Sequence, residues 1–421
     1  MKRKLTLIEG TMYAGGKTPV NVVASIKIKG IICEKNLHIA VSRIQDRHPL
    51  LRVNVLEDKE TGAPYFIKQD PIRNIPIRVS KRMTDDDWKK ESITECLIPF
   101  DVKKGPLIRL VWLRSAVTSE LIFIAHHCIC DGMSLLNLID ETLLLLASPG
   151  IEIGSYNSFS SINEFIPSAV MNKKINIMKI FLFSKLAKLI FFATTNKKEI
   201  VRKNPYLIHW KLDQEKSISI LQRCKAEGVS VNAVLCAAFV QAFKNTESIK
   251  SRSRLYCAVD TRKFIPQIKS NTMFAFPILI GLRPKSNKVT NLWDQSYWLK
   301  RQLLTKINKF NIHNLLMFSE CLLPFLPKMT KYAKNDKGNH DFTLSNMGNV
   351  KLKENYGLLE VESLHSPATI FPFGNPSTLS ITTFRSQIDF IFTSDEHFIK
   401  YDNALSLKDN AMKFLKDAID S

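Results

Sequence analysis

The sequence predicts an α/β protein of two lobes, each a mixed sheet carrying helices. Helical and strand periodicities alternate closely through the first half, the pattern breaks after Pro149-Gly150, and a second alternation of helices and strands then begins. With 421 residues and 45% hydrophobic content the chain can bury large cores, and its length favours more than one. The expected division is an N-terminal lobe over 1–170, a crossover over 171–204 and a C-terminal lobe over 205–421.

In the first lobe, Leu37, Ala40, Val41 and Ile44 mark one face of a helix that ends near His48-Pro49, and Leu51, Val53 and Val55 alternate as a strand. Pro99-Phe-Asp and Gly105-Pro106 punctuate the approach to a strand over 107–113, and a turn at Thr118-Ser119 leads into the next. That next strand opens the stretch Leu121-Ile-Phe-Ile-Ala-His-His-Cys-Ile-Cys-Asp-Gly-Met-Ser134. Residues 121–125 are continuously apolar, as in a strand covered on both faces, and Leu135, Leu136, Ile139 and Leu143 recur at helical spacing beyond it. His126 and His127 therefore stand where a buried strand gives way to a helix.

The segment 172–198 interleaves Phe181, Phe183, Leu186, Leu189, Phe191 and Phe192 with Lys179, Lys185 and Lys188. It reads as a basic amphipathic connection, either a crossover helix packed on the protein or a surface in peripheral contact with lipid. In the second lobe a helix closes at Gly228, Ser230 caps the next, and Val231, Val234, Leu235 and Ala238 share its face. A strand over 255–259, an apolar strand over 274–280 and a long helix through Trp293, Leu299 and Leu303 follow. A hairpin-like pair, 379–384 and 388–393, precedes a final helix with Leu407, Ala411, Leu415 and Ala418 on one side.

The formal net charge of +21 would attract an anionic lipid, a phosphorylated donor or an acidic carrier protein. Zinc-finger, ribonucleoprotein-type and Walker signatures are missing, so nucleic acid is not an expected partner. The eight cysteines occur without CxxC pairs, the usage of reduced thiols in a cytoplasmic protein. The N-terminus loses its apolar run at Glu9 and so lacks the core of a secretory signal, and no stretch is long and charge-free enough to span a bilayer.

A histidine, with a reference pKa near about 6.5, is suited to taking a proton from an alcohol or amine that attacks a thioester at neutral pH. His127 is the candidate base. Asp131, four positions on, is as well placed to hold the loop by pairing with a distant cation as to orient the ring.

The motif His126-His127-x-x-x-Asp131-Gly132 resembles that of the HHxxxDG acyltransferase superfamily. This superfamily includes condensation domains, stand-alone polyketide-associated acyltransferases, alcohol O-acetyltransferases and, remotely, chloramphenicol acetyltransferase. The resemblance extends to Asp46-Arg-His-Pro-Leu-Leu-Arg52 (RHPxLR), Pro99-Phe-Asp101 with Gly105-Pro-Leu-Ile-Arg109 (PFD…GPLxR), Val259-Asp-Thr-Arg262 with Pro266 (VDxR…P) and Ser345-Asn-Met-Gly348 (SNxG). These elements stand in family order across nearly the whole chain. The resemblance implies two chloramphenicol-acetyltransferase-like lobes with an active-site channel between them. It also implies His127 as general base, His126 as mainly structural, Asp131 paired with Arg262, and Gly132 as a space-making residue. Ser345 and Asn346 would contact the oxyanion or acceptor, or else shape the turn before Gly348. Larger condensation enzymes carry DFGWG where this chain has Asp341-Phe-Thr-Leu-Ser-Asn-Met-Gly, which favours a free-standing O-acyltransferase over a peptide-bond former.

The donor expected is a coenzyme A or acyl-carrier-protein thioester and the acceptor a small-molecule or lipid alcohol or amine, with no cofactor. Three rival readings compete. A metal held by His126, His127, Cys128, Cys130 and Asp131 is disfavoured because consecutive strand residues point to opposite faces. Nucleophilic Cys128 or Cys130 competes with inert packing, the usual state of buried thiols. The third is a catalytically idle scaffold that binds acyl carriers or lipids.

Overall fold

The computed structural model describes residues 2–171 and 200–420 apart from 201, 203, 270, 275–276 and 286–290, together with 178, 182, 185 and 186. The amphipathic segment expected over 172–198 lies almost wholly outside the described residues.

Two mixed sheets carry the lobes. The first unites β2 (Asn21–Lys29), β5 (Ile77–Lys81), β6 (Ile108–Arg114) and β7 (Thr118–His126) with three late strands, β12 (Asn355–Tyr356), β13 (Leu359–Leu364) and β14 (Ala368–Thr369). Its order is β12-β13-β2-β7-β6-β5, with β14 beside β2. The second contains β8 (Pro205–Lys211), β9 (Leu255–Asp260), β10 (Pro277–Leu282), β11 (Phe342–Asn349), β15 (Thr378–Phe384) and β16 (Gln387–Asp395), in the order β10-β9-β11-β15-β16-β8. A small third sheet joins β1 (Lys2–Lys4), β3 (Val53–Glu57) and β4 (Pro64–Lys68).

Residues 355–369, which the sequence reading places within the C-terminal lobe, thus pair with the first lobe's sheet: Val361 lies opposite Ile28, and Ala368 opposite Val23. The lobes also share apolar packing, because Leu207, Phe384 and Ile391 of the second sheet join the first lobe's core.

Local chemistry fixes most element ends. The helix α2 (Glu34–Arg47) stops at His48, and Pro49 opens a 3-10 turn that takes up Leu51 before β3 begins at Val53. Gly228 adopts φ 64° and ends the helix Gln214–Ala226; the Ser230 hydroxyl then accepts from Ala233 N and starts Val231–Asn245. Leu407, Ala411, Leu415 and Ala418 line the buried face of the last helix, Tyr401–Asp420, as their spacing predicts. The strand expected over 274–280 begins later, at Pro277. Phe274 stands outside it because its backbone carbonyl is drawn into polar contacts described below.

Candidate active site

The strand β7 is buried along nearly its whole length: β2 and β6 pair with its two edges, and the helices Asp87–Leu97 and Gly132–Ala147 pack against it. A strand covered on its faces in this way carries an unbroken apolar run, here 121–125. At its end, His126 N donates to Leu107 O (2.9 Å) and His127 N to Val20 O (2.7 Å), so the backbone beneath both imidazoles is pinned. A turn follows, and α4 (Gly132–Ala147) begins with Asp131 as N-cap.

The imidazoles differ in environment. His126 is sealed against the edge of Phe100, its Nδ1 accepts from Cys128 N (3.3 Å), and burial, followed by the neighbouring His127 charge, takes its pKa down to about 3. His127 stacks loosely on Phe371 at 5.9 Å, and its Nδ1 lies 2.8 Å from Cys130 O. A carbonyl only accepts, so Nδ1 carries the proton and the Nε2 lone pair is the basic position. Burial lowers the pKa of His127 below its ordinary value, and the opposing pull of Asp131 and of the backbone at Cys130 does not offset it. The ring is therefore neutral at neutral pH, the form a base needs.

Asp131 does not orient the imidazole. Its carboxylate caps α4 by accepting from Ser134 N (2.9 Å) and receives Arg262 through Nη1 (2.7 Å) and Nη2 (3.0 Å). Burial alone would raise its pKa, but the Arg262 charge and hydrogen bonds and those of Ser134 leave it below the usual carboxylate value. Arg262 also donates to Ser134 Oγ (2.8 Å), Phe274 O (2.7 Å) and Asp260 Oδ1 (3.1 Å). One guanidinium thereby ties the helix after the histidine turn to the second lobe.

The remaining elements surround this centre. In the RHPxLR element, His48 Nε2 and Arg47 Nε hold Glu141 of α4 at 2.6 and 3.1 Å, fixing α2 to the helix that leaves the turn. In the PFD…GPLxR element, Phe100 backs His126 and receives the Arg109 guanidinium over its ring at 4.2 Å. The Ser345–Gly348 stretch ends β11 at a register break, where Asn346 Oδ1 accepts from Gly348 N (2.8 Å) and so shapes the turn. Met347 beside it closes on Gly132: a Cβ there would lie 3.2 Å from Met347 Sδ and 3.3 Å from Pro367 Cβ.

The residues weighed for a metal at this motif do not converge. His126 faces Phe100, His127 is bonded at Nδ1, and Asp131 is taken up by Arg262. Cys128 and Cys130 are fully buried, and burial holds both thiols well above their ordinary pKa. Sequence reasoning missed Ser134, Asp260 and Phe371. Ser134 carried a signal, since it stands three positions after the N-cap, where a cap's partner amide belongs. Phe371 carried none.

Comparison with known proteins bears on the fold that holds these residues. Residues 11–147 match the condensation domain family. That match spans about a third of the chain and includes the histidine motif. It is 32% identical over 127 residues to the hybrid PKS-NRPS synthetase traA of Penicillium crustosum, a match covering 29% of this chain and 3% of that protein. The chain thus corresponds to a small part of this curated relative. Among the solved structures that match nearly its full extent are an acetyltransferase and a polyketide-associated protein. TRI3 trichothecene 15-O-acetyltransferase from Fusarium sporotrichioides superposes with a TM-score of 0.72 at 13% identity, covering 98% of this chain and 95% of its own. Polyketide synthase associated protein 5 from Mycobacterium tuberculosis gives 0.70 at 14% identity, with 99% and 98% covered. At such identities the likeness is one of fold: two chloramphenicol-acetyltransferase-like lobes of mixed sheet and helix.

Proposed function

We propose that this chain transfers an acyl group from a coenzyme A or carrier-protein thioester to a hydroxyl acceptor, with His127 as general base. The observation that carries the reading is the hydrogen bond from His127 Nδ1 to Cys130 O, which fixes the tautomer with its basic position at Nε2. Nε2 takes the acceptor's proton as the acceptor oxygen attacks the thioester carbonyl carbon. The tetrahedral intermediate collapses, the C–S bond breaks, and the imidazolium returns its proton to the departing thiolate. Ser345 offers a hydroxyl to the oxyanion, whereas Asn346 acts on the turn. Asp131, Gly132 and Arg262 hold the ring's support in place, and the chemistry needs no resident cofactor.

An amide-forming, stand-alone condensation enzyme is the second reading, favoured by the condensation-domain match over 11–147. The SNxG element in place of DFGWG argues for the hydroxyl acceptor. The deciding experiment follows thiol release from acyl-coenzyme A and acyl-carrier donors with mixed alcohols and with amines, comparing the parent with His127→Ala. Alcohol-dependent release lost in the variant supports the proposal, and amine-dependent release supports the second reading. Donor binding without turnover leaves the idle scaffold.

A further inference from the structure

Where the lobes meet, away from His127, the fold gathers two imidazoles and a carboxylate. Strands β8 and β16 pair antiparallel, with Lys211 opposite Asp389 and His209 opposite Ile391, so His209, Lys211 and Asp389 share one face. The alternate residues Ile208 and Phe390 enter the second lobe's core. His365 arrives from the other side, directly after β13, with its amide donating to Ser25 O of β2 (3.0 Å). One ligand atom from each of His209, His365 and Asp389 falls within 4.8 Å of the others. His209 Nε2 lies 2.6 Å from Asp389 Oδ2, and His365 Nδ1 lies 3.7 Å from that oxygen.

His365 is 5% exposed; its Nε2 has no hydrogen-bond partner, and its Nδ1 has only the long contact to Asp389 Oδ2. Burying an imidazole in this way costs free energy that a ligand on one nitrogen would recover. The surroundings hold the donors in place. Ser366 N donates to Asp389 Oδ1 (2.8 Å), leaving Oδ2 for the histidines, while Trp88 of α3 (Asp87–Leu97) stacks on His365 at 3.6 Å and meets His209 edge-on at 4.8 Å. Asp389 also lines a surface cavity of about 400 Å³ with Lys211, Gln214, Glu362 and Gln387, which gives an ion a way in.

We propose that His209, His365 and Asp389 form a site for a divalent transition metal of the zinc class, which joins the second sheet to the segment after β13. Two nitrogens and one oxygen are a zinc donor set, with the fourth position open to water from the cavity. Metal bonds of about 2.0–2.2 Å place tetrahedral donors roughly 3.3–3.5 Å apart. His209 and Asp389 therefore separate slightly as the proton between them is released to solvent, and His365 closes in. Lys211 is the resident competitor: its Nζ lies 3.8 Å from Asp389 Oδ2 and is hydrogen-bonded to Ser363.

The test titrates zinc chloride into the chelator-stripped full chain by calorimetry and repeats the titration with cobalt(II) by absorption. One saturable site per chain is expected, with tetrahedral cobalt bands free of thiolate charge transfer and a raised Tm. His365→Gln and His209→Gln, each checked for native circular dichroism, should weaken binding by at least about tenfold. Lys211→Met, which removes the competing charge, should strengthen it, an effect that a merely structural lysine would not produce. Absence of saturable uptake, a thiolate band, or uptake unchanged in whichever glutamine variants fold would overturn the proposal. These readouts do not involve turnover, so they stand apart from the acyl-transfer reading.

Discussion

Replacing Asp131 by alanine should strand the Arg262 guanidinium, whose side chain is 4% exposed. Loss of one partner from a buried pair costs about 3–5 kcal/mol. The lost N-cap of α4 is worth about 1 kcal/mol by itself, but the same carboxylate serves both roles, so the two do not add. Asp260 remains 3.1 Å from Arg262, yet its half-exposed side chain is screened by water and compensates little. The expected loss is therefore about 3–5 kcal/mol. Urea unfolding measures it as a midpoint shift, with the slope checked because a two-lobed chain of this size can depart from two-state behaviour. Adding Arg262→Met should cost less than the sum of the two single changes, since no charge is then stranded. A loss below about 1 kcal/mol, or strict additivity, would refute the account. The pH dependence has a definite sign. Asp131 titrates below its ordinary value of 3.8, so its contribution is full at neutral pH and is lost as pH falls below that value through the lower folded pKa.

The rate should keep a flat acid shoulder. His127 is neutral above a pKa lowered from 6.5, so activity lowered from pH 7 should persist past 6.5 before it falls, and an acid limb centred above 7 would contradict the assignment. Cys128→Ala and Cys130→Ala should each retain turnover, because buried thiols well above their ordinary pKa supply no thiolate; thiol-release assays decide this. Gly132→Ala needs a few tenths of an ångström from Met347 and from the stiffer Pro367 ring and should fold with a small loss of Tm, whereas Gly132→Val should lower both Tm and activity further, as thermal melts and turnover will show.

The legible part of the fold was the part governed by local pattern. The apolar run 121–125 and the helical spacing of Leu135, Leu136, Ile139 and Leu143 make a strand and a helix from neighbouring residues, and periodicity reads such features directly, though it passed over the Asp131–Ser134 cap between them. The Asp131–Arg262 pair, 131 positions apart, came through family resemblance, because no local signal links two charges at that separation. Phe371 beside His127, the return of 355–369 to the first sheet, and the meeting of His209, His365 and Asp389 depend on topology alone. Phe274 shows the reverse case: its apolar neighbours predict a strand, but Arg262 and Ser134 claim its backbone.

The late strands in the first sheet make the two halves obligate companions. A fragment ending at residue 170 would leave β2 without β13 and β14, exposing a long hydrogen-bonding edge that carries Val22, Val23, Ile26 and Ile28 and invites other chains to pair with it. During synthesis that edge gains its partners only once the ribosome has delivered residue 369. Dissection into separately expressed lobes should therefore give aggregates, and complementation should require both pieces to fold in each other's presence.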